Sequence, residues 1–192
     1  RENSVRKSSF LSEQAVIAKN LLRKFISQEL KPEEVFDVEL LGKFLALSRI
    51  WNADHSLHFH NINFYLNPIT CKLEPIGFDG MPGFSERPNI CYHLSKSPNL
   101  LWVKIALKSE TISKSYSKYL MEFSSDEYLR KLKLTFSENE NHFRNLIIRN
   151  LIFNDKDTIW SSYYTLFTNN LWIVLEKRLE KIRNDKTWRN VF

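Results

Sequence analysis

Asp54, Asn61 and Asp79 are the residues of this chain whose types and spacing could do chemistry together. They lie in WNADHSLHFHNINFYLNPITCKLEPIGFDG, residues 51–80. This stretch reads as an irregular loop, a strand, a tight turn and a return strand. Asn61 to Leu66 alternates polar and apolar, as a half-buried strand does. Asn67-Pro68-Ile69-Thr70 supplies the turn: Pro68 presets φ, and Asn67 can bond its own backbone. Lys72 to Phe78 returns, with Pro75 implying an edge or a break in the ladder. Antiparallel pairing about 67–70 matches positions whose numbers sum to about 137–138, so Asn61 falls within about two residues of Asp79 at the open end. Asp54 sits just upstream, in the loop that delivers the chain to that end.

Carboxylate and amide oxygens suit a hard cation such as Mg²⁺, held together with substrate phosphates. An Asp that is not a ligand can accept a proton from an attacking hydroxyl. Base, metal Asn, hairpin, metal Asp is the layout of a phosphoryl-transfer site. The plain alternative is turn chemistry: Asp54 caps a turn, Asn61 satisfies backbone groups and Asp79-Gly80 is a β-turn. His55, His58 and His60 crowd the same loop. His58 and His60 share a face if the segment is extended, and with a carboxylate they could hold Zn²⁺. No fourth ligand stands at a telling spacing, so hydrogen bonds that brace the loop are the favoured role for these rings.

The elements around this stretch are helical. Residues 10–29 read as a first helix, capped by Ser12, with Ala15, Ala18, Leu21, Leu22, Phe25 and Ile26 on its apolar face. Pro32 breaks it. Asp37 caps a second helix with Leu40, Leu41, Phe44, Leu45 and Leu47 as the buried stripe, and this helix feeds the Asp54 loop. A base at the end of a packed helix is better fixed than one on a free loop. Residues 80–99, with Pro and Gly, read as loop, bordering a cleft or simply connecting. From Asn99 onward the pattern is helical, with stripes through Leu100 to Ala106, Tyr116 to Phe123, Tyr128 to Leu134 (capped by Ser125-Asp126) and Phe143 to Leu151. A last stripe runs through Leu171, Leu175, Leu179 and Ile182, with Glu176, Lys177 and Arg178 outside. Trp160, Tyr163, Tyr164 and Phe167 could stack bases, but at this spacing they read as core.

Composition bounds the rest. At 192 residues, 43% hydrophobic and 14% aromatic, the chain can build a sizeable core and is not a disordered tail. Its net charge of +6 favours anionic partners. The basic residues are dispersed rather than blocked, which favours a solvated helical surface over nucleic-acid binding. No apolar run reaches the roughly 18 residues that would span a bilayer. Cys71 and Cys91 make neither a metal motif nor a disulfide framework, although they could pair if the loop after the hairpin folds back. The first residue is Arg1 rather than Met, so a processed or excised piece is expected.

Asp54, His60-Asn61, Tyr65 and Phe78-Asp79, led in by Phe36-Asp37, Leu45-Ala46-Leu47 and Trp51, resemble the core motif of the CotH (spore coat protein H) family of atypical, protein-kinase-like enzymes. The resemblance covers roughly residues 10–135 and is sharpest at 35–80. It implies an α+β, predominantly α-helical fold: a kinase-like C-terminal lobe with one β-hairpin, at about 61–78, packed on helices. It implies Asp54 as catalytic base, and Asn61 and Asp79 as ligands of the metal that accompanies the nucleotide. The cofactors would be ATP with Mg²⁺ or Mn²⁺, the reaction γ-phosphoryl transfer, and the partner a protein substrate with Ser or Thr hydroxyls. A spore-coat or extracytoplasmic, cell-surface setting is likewise implied by the resemblance alone.

Three departures from the kinase pattern stand in the sequence. The spacing from Asp54 to Asn61 is seven, against about five in an ordinary kinase catalytic loop. Gly80-Met81 follows Asp79 in place of Phe-Gly. Met81 also stands where many members carry a second Asp. No Gly-rich phosphate loop and no Lys–Glu pair in a strand-then-helix setting occurs. Residues 1–192 are therefore expected to form a single domain, with the nucleotide lobe upstream of Arg1 and the fragment alone catalytically silent. The competing expectation is a pseudokinase or a structural coat or surface domain. Met81 favours it, and retention of Asp54, Asn61 and Asp79 opposes it.

Overall fold

The computed structural model describes residues 8–80, 98–151 and 171–185. Met81, the serines at 85, 95 and 97, Cys91 and the Trp160–Phe167 cluster lie outside the described residues. Among the described residues the fold is α+β and mostly helical, with one two-stranded antiparallel sheet.

Helix α1 (Ser9–Ile26) starts earlier than its periodicity suggests, because Ser8 rather than Ser12 is the cap: its Oγ accepts from the Leu11 amide at 3.3 Å. It also stops earlier, at Ser27, followed by Gln28 in the left-handed region at φ 61°. The short α2 (Pro32–Val35) has Pro at its first turn, where no amide is needed, and Glu34 accepts from the Lys31 amide at 2.7 Å.

Asp37 caps α3 (Val38–Ile50) as expected, taking the Leu40 amide at 2.8 Å. Leu41 and Leu45 are buried, and Phe44 and Leu47 partly so. Leu40 is 40% exposed, and Ala46 and Ile50 complete the buried face in its place. The stripe thus sits further round the helix than the leucines alone indicate.

Strands β1 (Asn63–Asn67) and β2 (Lys72–Ile76) pair with Asn63 opposite Ile76 and Asn67 opposite Lys72. Partner numbers therefore sum to 139, one beyond the expected register. The loop is Pro68–Cys71 rather than 67–70. Asn67 is the last strand residue, and Cys71 takes the extra left-handed step at φ 54°. Asn67 does bond its own turn, Oδ1 accepting from Ile69 at 2.9 Å and from Thr70 at 3.3 Å. The strands are also shorter than 61–78, and Asn61 lies before them.

A two-stranded ribbon is marginal alone and needs a packed face. Here Phe64 and Leu66 turn inward and Leu73 is fully buried. The Asp37 amide donates to the Leu73 carbonyl at 3.0 Å, pinning the ribbon to the start of α3. Lys72 Nζ donates to the Glu33 and Glu34 carbonyls at 2.8 and 2.7 Å, at the electronegative end of α2.

After a short 3₁₀ turn (Pro98–Leu100) come α4 (Leu101–Leu107), α5 (Glu110–Phe123), α6 (Asp126–Leu151) and α7 (Leu171–Asn184). Phe143, Leu146, Ile147 and Leu151 fall on α6, but their side chains lie outside the description. Ser125 caps α6 as read, accepting from the Tyr128 amide at 3.1 Å. The main packing is α3 on α5. The two helices approach so closely at Gly42 that a Cβ there would sit 2.2 Å from Ser115 Oγ. Phe25, Phe36, Phe64 and Trp102 form the aromatic centre, with edge-on pairs at 4.8 Å (Phe25–Phe36) and 5.7 Å (Phe64–Trp102).

One assignment reverses. Arg178, expected on the wet face of α7, is buried, and its Nη1 donates to the Ile50 carbonyl at 2.8 Å. Burial lowers its pKa to about 10. The position is inside because α7 packs against α3, whose terminal carbonyl needs a donor.

Candidate functional site

Helix α3 ends at Trp51. Asn52, buried and left-handed at φ 49°, reverses the chain, and the Ala53 amide returns to the Ser48 carbonyl at 2.7 Å. Asp54 then heads a 3₁₀ turn, Asp54–Leu57, so the proposed base is half-buried and anchored to the helix end.

Other bonds hold this turn. Ser56 Oγ donates to the Ala53 carbonyl at 2.6 Å, and the indole Nε1 of Trp102 donates to the Leu57 carbonyl at 2.6 Å in the buried interior. The His58 amide returns to the His55 carbonyl at 3.2 Å, and the Asn61 and Ile62 amides both return to the His58 carbonyl at 2.8 Å. Residues 58–61 are thus a turn, so the extended condition under which His58 and His60 would share a face is not met, and Asn61 lies in the turn rather than in the strand.

Asn61 and Asp79 meet on one imidazole. Asn61 is 7% exposed, its Nδ2 donating to the His55 carbonyl at 3.0 Å and lying 2.8 Å from His55 Nδ1. Asp79 is left-handed at φ 46°, a conformation that Asp tolerates better than most residues. Its carbonyl is 3.1 Å and its Oδ2 3.4 Å from the same His55 Nδ1. A ring nitrogen either carries a proton or accepts one. Nδ1–H therefore binds Asp79, and bare Nδ1 takes the Asn61 amide. Gly80 follows so close to Ala53 that an added Cβ would touch the Ala53 Cβ at 3.4 Å. The segment that follows β2 thus returns beside the residue that precedes Asp54.

Of the three residues singled out, the fold brings Asn61 and Asp79 onto His55, and it sets Gly80 against Ala53, the residue before Asp54. His55 was missed as the centre of this arrangement. No local signal pointed to it, because the arrangement depends on Asp79, 24 residues further along the chain, returning to the same ring. The oxygen donors fit the chemistry of a hard cation: with Nδ2 turned to His55, Asn61 keeps Oδ1 as an acceptor, and the Asp79 side chain is 43% exposed.

Cys71 is a free, exposed thiol at the far end of the hairpin. No helix among the described residues is long and apolar enough to cross a membrane. Comparison with protein-family models, curated proteins and solved structures gave no match.

Proposed function

We propose that this chain is the C-terminal lobe of a CotH-like atypical protein kinase, transferring the γ-phosphoryl group of ATP to Ser or Thr hydroxyls of a protein substrate. The observation that carries the reading is the meeting of Asn61 and Asp79 on His55 beside Asp54, in the chain order of a phosphoryl-transfer site.

Asp54 accepts the proton of the substrate hydroxyl as its oxygen attacks the γ-phosphorus and the bond to the ADP oxygen breaks. Asn61 Oδ1 and the Asp79 carboxylate would hold Mg²⁺ or Mn²⁺, whose charge would offset that of the phosphates. His55 is a positioning residue, fixing the Asp79 backbone through Nδ1 and the Asn61 amide through its own carbonyl. The phosphate-cradling loop and the Lys–Glu pair belong, in this proposal, to sequence N-terminal to Arg1.

The second reading keeps the fold and drops the chemistry, as a pseudokinase or a structural coat or surface domain. It rests on Met81 standing where a second acidic ligand is expected. The two are separated with the longer protein, given labelled ATP and Mn²⁺ or Mg²⁺, beside folded Asp54→Ala and Asp79→Ala versions. Transfer by the parent that both substitutions abolish supports the kinase. A folded parent that neither transfers phosphate nor binds nucleotide sinks it and leaves the scaffold role.

A further inference from the structure

The turn that carries Asp54 also gathers three imidazoles. One ring nitrogen each from His55, His58 and His60 lies within 4.8 Å of the others, and the ring centres are 5.4 to 5.7 Å apart. We propose that these three histidines bind a first-row transition-metal ion, Zn²⁺ by preference, with a fourth position open to water. This site is distinct in donor chemistry from the oxygen site of Asn61 and Asp79.

Imidazole nitrogen suits zinc, copper or nickel, whereas Mg²⁺ takes oxygen, so the two sets of donors select different ions. Zinc binds imidazole at about 2.0–2.1 Å, which puts tetrahedral ligand atoms somewhat over 3 Å apart. Bringing nitrogens from within 4.8 Å to that spacing closes each separation by up to about 1.5 Å, shared between two side chains. Exposed His60 and half-buried His55 and His58 can supply that movement. The backbone beneath them is already braced. The Trp102 indole, Ser56 and the amides at 58, 61 and 62 already fix the turn.

The surroundings of His55 support the assignment independently. A metal-bound histidine characteristically donates its other N–H to a carboxylate or a backbone carbonyl. His55 Nδ1 has both partners from one residue, the Asp79 carbonyl at 3.1 Å and Oδ2 at 3.4 Å. Nε2 then takes the ion, and the Asn61 Nδ2, which lies 3.3 Å from it, must give way. Binding at Nε2 keeps the proton on Nδ1, so the metal selects the Asp79 contact over the Asn61 amide. An ion on the three histidines would therefore lock Asp79, in the segment after β2, onto the Asp54 turn.

The test uses the 192-residue chain, stripped of metal with a chelator and dialysed. It is titrated with Co²⁺ followed by visible absorption, and with Zn²⁺ in competition with a chromophoric chelator. The expected result is about one equivalent of Co²⁺ with the intense visible bands of a four-coordinate site, displaced by Zn²⁺. His58→Gln and His60→Gln should each weaken binding at least 10-fold, the lower end of what loss of even an outer-shell partner costs. Far-UV circular dichroism checks the fold, and His60, being exposed, can change without disturbing the core.

Absence of Co²⁺ and Zn²⁺ binding by the folded chain overturns the proposal. So does binding that excess Mg²⁺ displaces and His60→Gln leaves intact, which would put the ion on oxygen donors. Asp54→Asn separates this inference from the kinase reading: it should keep the cobalt spectrum whether or not the longer protein transfers phosphate.

Discussion

Replacing Trp102 with Phe should loosen the Asp54 turn from a distance, through one hydrogen bond. The indole Nε1 donates to the Leu57 carbonyl at 2.6 Å, in the buried interior. Phe keeps an aromatic ring against Phe36 and Phe64 but has no donor. An unsatisfied buried carbonyl costs about 1–3 kcal/mol. The smaller ring adds about 1 kcal/mol, at ~24 cal/mol for each Å³ of cavity left. The expected loss is therefore about 2–4 kcal/mol. With a urea m-value of about 2–3 kcal/mol/M, the midpoint should fall by about 0.7–2 M. Urea unfolding followed by circular dichroism gives the midpoint. Hydrogen exchange should also show the His58 and Asn61 amides, which close the turn, exchanging faster relative to those of α5. A midpoint shift under about 0.3 M at unchanged m, or protection lost evenly over the chain, would refute the reasoning.

Three further outcomes follow from the geometry. Gly42→Ala places a methyl 2.2 Å from Ser115 Oγ and 2.8 Å from the Ser115 backbone carbon, so α3 and α5 must part. The better helix propensity of Ala offsets only about 1 kcal/mol, and a net loss of about 1–2 kcal/mol should lower the melting temperature, whereas a rise would contradict the packing. Asp37→Ala removes the cap at the start of α3 and should cost about 0.5–2 kcal/mol by urea unfolding, with Asp37→Asn or Asp37→Ser recovering most of it. The Glu39 carboxyl is held below its ordinary 4.5, first by the hydrogen bond from Tyr119 and then by the Lys118 charge. A depressed carboxylate contributes stability above its unfolded pKa and loses it as pH falls through the folded value. Melting temperature should therefore drop less steeply below pH 4.5 in Glu39→Gln than in the parent, and equal slopes would discount the interaction.

What the sequence determined by itself is what neighbours a few residues apart decide. The Asp37 and Ser125 caps, the Asn67 turn and the inward Phe64 and Leu66 were all legible, because each depends on contacts within about four residues or on a period of two. The nearness of Asn61 to Asp79 was legible too, because any register about that turn brings the two strand ends together. The sequence pattern puts the cap of the first helix at Ser12, whereas it is Ser8, since only the realised helix start selects the capping hydroxyl.

Tertiary structure decided the remainder. The one-step register change needed the left-handed turn of Cys71, against the ordinary bias of a residue with a side chain, and it is held by a ribbon packed on α3. The burial of Arg178 needed the Ile50 carbonyl, 128 residues away in the chain, to meet its guanidinium. Three histidines became one cluster, with His55 between Asn61 and Asp79, because the end of α3, the Trp102 indole and the segment returning after β2 close the same turn from three sides. Helical and strand periods say which face a residue takes; only the packing of distant elements says what that face meets.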